Sequence, residues 1–286
     1  MLKLNRRGFI KLVTGAGVLL AVGKGTDLAM AVDESTPGRD VKVPPPMPGT
    51  KWAMVIDRGK CIGCRRCMYA CKRENNTPDS ISPPWIITFE TPSALGISGL
   101  NEPETHTMTY TKFRDDRWYL PIQCNHCDNA PCVQVCPTQA TYKDVDGIVR
   151  IDFSKCIGCR YCMAACPYQA RRFNWWEPEI LLEDINPLVE IRKKSLVEKC
   201  TFCVHRVRGG KSPKCVEVCP PRARHFGNLN DPSSVVSRIL NNERNMRLKE
   251  ELNTQPQIWY TTSLIDRLES FSKPLPPPEG IRGVSS

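Results

Sequence analysis

Sixteen cysteines dominate the chemistry that this chain of 286 residues could perform. They fall into four runs of four, and none is left over. Closely spaced thiolates bind soft or borderline metals, and runs of three or more suit iron–sulfur clusters. The runs comprise, in chain order, Cys61, Cys64, Cys67 and Cys71; Cys124, Cys127, Cys132 and Cys136; Cys156, Cys159, Cys162 and Cys166; and Cys200, Cys203, Cys215 and Cys219.

The spacing within the runs indicates which clusters they hold. The first and third runs read C-x2-C-x2-C-x3-C, and Pro137, Pro167 and Pro220 follow the last three runs. Three thiolates on a tight loop can reach three irons of one cubane, while the x3 step starts a short helix and turns the fourth thiolate toward a different cluster. Bacterial two-cluster ferredoxins carry this pattern. The sequence therefore predicts four [4Fe–4S] clusters.

The separation of the runs suggests how they share clusters. Residues 137–155 separate the second and third runs as in a two-cluster ferredoxin, and they contain a predicted hairpin that turns at Asp146-Gly147. The first and fourth runs must then pair across the chain. Pairing the first run with the second and the third with the fourth is the alternative, which the long inserts disfavour. The predicted ligand sets are Cys61, Cys64, Cys67 and Cys219; Cys71, Cys200, Cys203 and Cys215; Cys124, Cys127, Cys132 and Cys166; and Cys136, Cys156, Cys159 and Cys162.

Other uses of cysteine fit the pattern less well. Disulfide frameworks are typical of small exported domains and do not crowd their cysteines into clumps. A tetrahedral zinc site has no use for a third cysteine two residues after a C-x2-C pair. No C-x-x-C-H haem motif occurs. His126 and His205 lie inside cysteine runs, and we interpret them as loop residues near a cluster rather than ligands.

Composition and charge bear on whether the protein binds nucleic acid. The chain has 25 prolines and a formal net charge of +10. Each oxidised cluster with its four thiolates carries about −2, so four clusters would offset most of this charge. No basic stripe with interleaved aromatic residues occurs, so no nucleic-acid partner is predicted.

The N-terminus has the features of an export signal. Arg6-Arg7 precedes an apolar stretch over residues 12–22, and Ala29-Met30-Ala31 suits signal peptidase. The apolar stretch is shorter than the roughly 20 residues that a membrane span requires. We predict a twin-arginine signal over residues 1–31, a periplasmic mature protein without its own transmembrane anchor, and a linker or arm over 32–50.

Three cysteine segments together resemble a known family. Residues 123–137, 152–167 and 198–203 are similar to the four-cluster iron–sulfur subunits of molybdopterin oxidoreductases and related respiratory complexes. That family includes subunits of polysulfide, tetrathionate and dimethyl sulfoxide reductases, and nitrite-reductase-associated proteins. The resemblance covers residues 51–262, and the segments 186–192 and 197–200 are similar to its twin-arginine-exported members.

The resemblance implies an electron-transfer subunit rather than an independent enzyme. Its expected partners are an integral-membrane quinol- or quinone-reactive subunit, of the polysulfide reductase type, and a molybdopterin or multihaem cytochrome subunit. The sequence shows no acid–base pair or nucleophile that would indicate a substrate site of its own. A freely diffusing periplasmic polyferredoxin and a zinc- or disulfide-stabilised binding module are the alternative hypotheses.

The expected fold is α+β, with two ferredoxin-like modules that each hold two clusters. Asp231 and Pro232 are expected to begin a helix in the C-terminal extension. Trp175 and Trp176 are expected to pack against a cluster, with a partner surface as the alternative. The basic residues around the fourth run are interpreted as a solvated face, with a docking patch as the alternative. The predicted divisions are a tandem cluster-binding domain over 51–226, inserts at about 72–123 and 171–199, and an extension over 227–286.

Overall fold

The computed structural model describes residues 41, 43–81, 84–92, 105–107, 117–180 and 185–261. The predicted signal and most of the predicted arm lie outside these residues, as does the C-terminal extension beyond residue 261. Within the described ranges, no helix is long and apolar enough to cross a membrane.

Small sheets and short helices alternate along the chain, in agreement with the predicted mixture of helix and strand. The strands are β1 Trp52–Asp57, β2 Ile87–Pro92, β3 Thr105–Thr107, β4 Arg117–Ile122, β5 Thr141–Lys143, β6 Val149–Ile151, β7 Arg172–Phe173, β8 Val197–Glu198, β9 Arg224–Asn228, β10 Asn245–Met246 and β11 Ile258–Thr261. The α-helices are α1 Arg66–Glu74, α2 Pro131–Gln134, α3 Tyr161–Ala164, α4 Val204–Val207, α5 Lys214–Glu217 and α6 Val235–Asn242, and a 3₁₀ helix spans Glu250–Leu252.

Strand β1 organises the largest sheet, whose order is β10-β11-β1-β9. It pairs antiparallel with β9, which follows the fourth cysteine run, and parallel with β11. Its alternating side chains are buried on both faces: Met54 and Ile56 pack with cysteine-bearing segments, while Ala53 and Val55 pack near α6. This sheet therefore brings the beginning and the end of the cysteine-containing chain together.

The hairpin predicted at Asp146-Gly147 is present. Strands β5 and β6 pair antiparallel between the second and third runs, and Gly147 has a φ of 83° in the connecting turn. The insert between the first and second runs forms a separate antiparallel sheet, ordered β3-β2-β4.

In three of the four cysteine runs, proline limits the helix that leads to the last cysteine. Helices α2, α3 and α5 have four residues each, and proline follows the last cysteine of those three runs. Lys72 follows Cys71 in the first run, and α1 continues to Glu74. A helix cannot continue through such a proline, because the residue before proline is forced out of the helical region.

The helix predicted in the C-terminal extension is present, but its predicted cap is wrong. Helix α6 begins at Val235, and Ser234 Oγ caps it by accepting a hydrogen bond from Val236 N–H. Asp231 Oδ1 instead accepts from Ser233 N–H (2.9 Å) and Ser233 Oγ (2.7 Å). This local turn uses the carboxylate before the helix begins.

Candidate cluster-binding site

All four cysteine runs turn in the same way after their first cysteine. The second residue after that cysteine has a positive φ in every run: Gly63 (65°), His126 (44°), Gly158 (66°) and Phe202 (54°). A left-handed residue between two cysteines reverses the local chain direction, so that neighbouring thiols can face one space. The strain is tolerated at His126 and Phe202, whose rings stack on each other at 3.8 Å between centroids.

The first and fourth runs, distant in sequence, bring their thiols together. Cys61 interacts electrostatically with Cys67 and Cys219, and Cys219 in turn with Cys67 and Cys64. These interactions bring Cys219 of the fourth run close to thiols of the first run. Strand β1 leads into the first run and β9 leaves the fourth, so the pairing of β1 with β9 holds the two runs side by side.

A second group also combines the first run with the fourth. Cys71 interacts most strongly with three thiols of the fourth run: Cys200, Cys203 and Cys215. Asn75 bridges the two runs, because its Nδ2 lies 3.6 Å from Cys71 Sγ and 3.7 Å from Cys203 Sγ. The sequence offered no signal for Asn75, which lies one residue beyond α1.

The second and third runs surround two small cavities, each lined by four thiols. Three thiols of one run and the last thiol of the other line each cavity. The lining thiols are Cys124, Cys127, Cys132 and Cys166 in one cavity, and Cys136, Cys156, Cys159 and Cys162 in the other.

Burial makes most of these thiols poor sites for an isolated negative charge. It is the main cause that raises the pKa of Cys61 and of Cys203 to about 12, and the neighbouring Cys67 and Cys215 raise the pKa of these thiols further. A buried group of four thiols therefore needs cations to become thiolates, and the iron of a cluster provides them. The donor type and the grouping fit [4Fe–4S] clusters.

Backbone and side-chain donors are aimed at the sulfur atoms. Thr141 N–H donates to Cys136 Sγ and Phe202 N–H donates to Cys200 Sγ, both at 3.4 Å. Burial tends to raise the pKa of Cys136, but hydrogen bonds with Thr141 N–H and with the hydroxyl and N–H of Thr138 outweigh it, so the pKa of that thiol is lowered. Such N–H···S bonds stabilise thiolate ligands and help to set cluster potentials.

The third run forms the outermost part of the site. Of the sixteen thiols, Cys159 alone is exposed, and its neighbours Ile157 and Tyr161 are exposed as well. Trp175 and Trp176 are also more than half exposed, so the prediction that they pack against a cluster is wrong. Arg160, whose guanidinium lies 4.9 Å from the Trp175 ring, holds that ring at the surface.

The two histidines are engaged with groups other than thiols. His126 Nδ1 accepts a hydrogen bond from Val149 N–H (3.1 Å), and burial keeps the pKa of the imidazole well below its usual value. His205 Nε2 lies 2.8 Å from Glu74 Oε1. These contacts agree with the interpretation of both histidines as loop residues near a cluster.

The basic residues around the fourth run are only partly a solvated face. Arg192 is buried against Glu198, and Lys199 is buried against the carbonyls of Val149 and Cys200. Arg208 is buried as well and pairs with acidic residues of the β5–β6 hairpin. These three charges stabilise contacts between segments, a role that the sequence alone did not reveal.

Comparison with known proteins finds two family models that match the cysteine-containing part of the chain. A family model described as a 4Fe-4S dicluster domain matches residues 116–180 and 187–229, and a second model of the same description matches residues 60–141. Both descriptions agree with ferredoxin-like domains built from small helices and sheets.

Three curated proteins illustrate the similarity. A putative iron-sulfur subunit of dimethyl sulfoxide reductase from Halobacterium salinarum is 46% identical, over 74% of this chain and 79% of its own. The iron-sulfur subunit of arsenate respiratory reductase from a Shewanella species is 38% identical, over 73% and 95%. The iron-sulfur cluster-binding subunit of menaquinone reductase from Nitratidesulfovibrio vulgaris is 39% identical, over 73% and 88%.

Proposed function

The chain belongs to the family of four-cluster [4Fe–4S] subunits of molybdopterin oxidoreductases and related quinone-linked respiratory complexes, and from this membership we propose how it carries electrons. It is an iron–sulfur electron-transfer subunit of a reductase complex, and it binds four [4Fe–4S] clusters. Each cluster supplies one-electron chemistry between its 2+ and 1+ states. The polypeptide contributes the thiolates, the hydrogen bonds to sulfur and the surrounding charge, without a substrate site of its own.

The proposed ligand sets follow the crossed pairing of the runs. The electrostatic contacts of Cys61, Cys71 and Cys219 support it for the first and fourth runs, and the two four-thiol cavities support it for the second and third. The sets form two ferredoxin-like modules. Their members are Cys61, Cys64, Cys67 and Cys219; Cys71, Cys200, Cys203 and Cys215; Cys124, Cys127, Cys132 and Cys166; and Cys136, Cys156, Cys159 and Cys162.

Electrostatic interactions and a shared lining residue between the sets support a single order for the row of clusters. Cys67 interacts with Cys215, which joins the first set to the second. The strongest thiol neighbour of Cys200 is Cys124, which joins the second set to the third. Arg171 lines both the cavity of the third set and the cavity of the fourth set, which joins these two sets. The row therefore ends at the set of Cys61 on one side and at the set of Cys159 on the other.

The proposed partners lie at the two ends of this row. One is an integral-membrane quinol- or quinone-reactive subunit, and the other is a molybdopterin or multihaem cytochrome subunit. The relatives whose names describe reductase subunits support this assignment. The Arg6-Arg7 motif supports export of the folded protein to the periplasm by the twin-arginine route.

Iron and acid-labile sulfide assays on anaerobically purified protein test the cluster content. We expect about sixteen of each per chain, as four cubanes require. A colourless preparation with zinc in place of iron would support the binding-module hypothesis. Purification under mild conditions without any associated subunit would support the free polyferredoxin.

The Cys219→Ser substitution tests the crossed pairing. We expect it to disturb the EPR signal that Cys64→Ser also disturbs, because both side chains belong to one ligand set. Cys166→Ser, at the matching position of the third run, is the control and should disturb the signal that Cys127→Ser disturbs. Loss of the Cys159 cluster in the Cys219→Ser protein would show that the pairing is sequential.

A further inference from the structure

Two arginines occupy the same position in the cysteine repeat. Arg171 and Arg224 each stand five residues after the last cysteine of a run, in the pattern C-P-x-x-A-R. Both preceding alanines are buried, and the residue before each alanine has a positive φ, 47° at Gln169 and 51° at Arg222. The matched backbone directs both arginine side chains inward. The same position of the first and second runs holds the uncharged Asn76 and Thr141.

Arg224 lies between the first and second ligand sets. Its side chain is buried, and Nη1 lies 3.6 Å from Cys215 Sγ, while Nη2 donates to Gln123 Oε1 at 3.0 Å. The charged groups that act on it most strongly are Cys67, Cys215 and Cys219. These thiols come from both sets, so one guanidinium faces two clusters.

Arg171 has the same relation to the third and fourth sets. It lines both four-thiol cavities, and Cys132 and Cys162, one from each set, act on it most strongly. Its Nη1 donates to Thr141 Oγ1 at 3.2 Å. Its Nη2 is buried and has no acceptor within hydrogen-bond distance among the described residues, while the thiols of Cys132 and Cys162 interact with the guanidinium, so this donor is placed to reach a cluster sulfur.

We propose that Arg171 and Arg224 are potential-setting residues, each of which raises the reduction potentials of the two clusters of its own module. The inference rests on the proposed ligand sets. A guanidinium keeps its charge at every accessible pH, and in a buried site that charge is poorly screened. Reduction makes a cluster more negative, so a nearby fixed cation favours the reduced state. Because each arginine faces two clusters, it shifts both in the same direction.

The residue two positions before Arg224 provides a matched control. Arg222 is closer in sequence to Cys219 than Arg224 is, but its side chain is exposed, so water screens its charge. If the effect came from net charge alone, Arg222→Met and Arg224→Met would shift the potentials alike. If it comes from a buried charge between clusters, only Arg224→Met will do so.

EPR-monitored redox titration of the full-length holoprotein tests the proposal. We expect Arg224→Met to lower two of the four midpoint potentials, Arg171→Met to lower the other two, and Arg222→Met to change none. The Arg224→Lys and Arg171→Lys variants keep the charge, so their midpoint potentials should lie close to the wild-type values. Full iron content with four unchanged potentials in both methionine variants would overturn the proposal.

Variants that lose clusters are also informative. The Arg224→Gln and Arg171→Gln variants keep hydrogen-bond donors without the charge, and they replace the methionine variants if those fail to load iron. Loss of iron from the glutamine variants as well would indicate a purely structural role and would overturn the proposal. An error in the proposed ligand sets would appear separately. The wild type would then contain too little iron, or Cys219→Ser would lose a signal other than the one that Cys64→Ser disturbs.

Discussion

The Gly158→Ala substitution is expected to abolish the cluster held by the third run. Gly158 has a φ of 66°, and a Cβ atom there would lie 2.2 Å from the backbone oxygen of Ser195. The obstacle is backbone, so no side-chain rotation can relieve the clash. The loop from Cys156 to Cys159 must then move, which displaces ligands of the fourth set. We expect the iron content to fall by about four per chain and one EPR signal to disappear.

Gly210→Ala is the matched control for this substitution. Gly210 also has a positive φ, 77°, but no heavy atom lies within 4 Å of the Cβ that would be added. Only the cost of the left-handed backbone remains, about 1 kcal/mol, and all clusters should be retained. A Gly158→Ala protein with the full iron content would show that the turn does not need glycine.

The Arg208→Met substitution is expected to destabilise the whole fold. Arg208 Nε lies 2.8 Å from Asp146 Oδ2, and Nη2 lies 2.6 Å from Asp144 Oδ2. Asp146 is completely buried, so loss of its partner leaves an uncompensated charge in the interior. Breaking a buried pair in this way costs about 3–5 kcal/mol of unfolding free energy. The denaturation midpoint of the anaerobic holoprotein, followed by cluster absorbance, should fall accordingly.

Two further variants separate this effect from a general loss of charge. Lys72→Met removes a cation whose partner, Asp79, is almost fully exposed, and it should leave the denaturation midpoint unchanged. Adding Asp146→Asn to Arg208→Met removes the unpaired carboxylate and should recover part of the loss. An unchanged midpoint in Arg208→Met alone would contradict the structural role of this pair.

Local sequence signals were sufficient for several elements. The Asp146-Gly147 turn, a short helix in the cysteine runs and a helix in the C-terminal extension were all predicted and are present, although that last helix begins at Val235 rather than at Pro232. Each depends on contacts between residues close in sequence. The predicted cap of α6 was wrong because Asp231 and Ser234 are both good capping residues, and only the backbone conformation selects between them.

Other predictions failed because burial was not visible in the sequence. Arg192 and Arg208 looked like part of a solvated basic face, but their carboxylate partners come from other segments and make burial possible. Trp176 looked like a packing residue and is exposed. The repeated C-P-x-x-A-R pattern was the one available sequence signal for Arg171 and Arg224. The pattern does not show that both side chains are buried near thiols, and their electrostatic role depends on that burial.

The sequence by itself determined the chemistry of this protein, because sixteen thiols in ferredoxin-type runs leave iron–sulfur clusters as the fitting cofactor. The tertiary structure decided which thiols face one another. The first and fourth runs lie far apart in the chain, and strand β1 aligns them by pairing with β9 and β11. It also decided which positive charges lie between the thiol groups, since the electrostatic effect of an arginine on a cluster depends on burial and distance rather than on its place in the sequence.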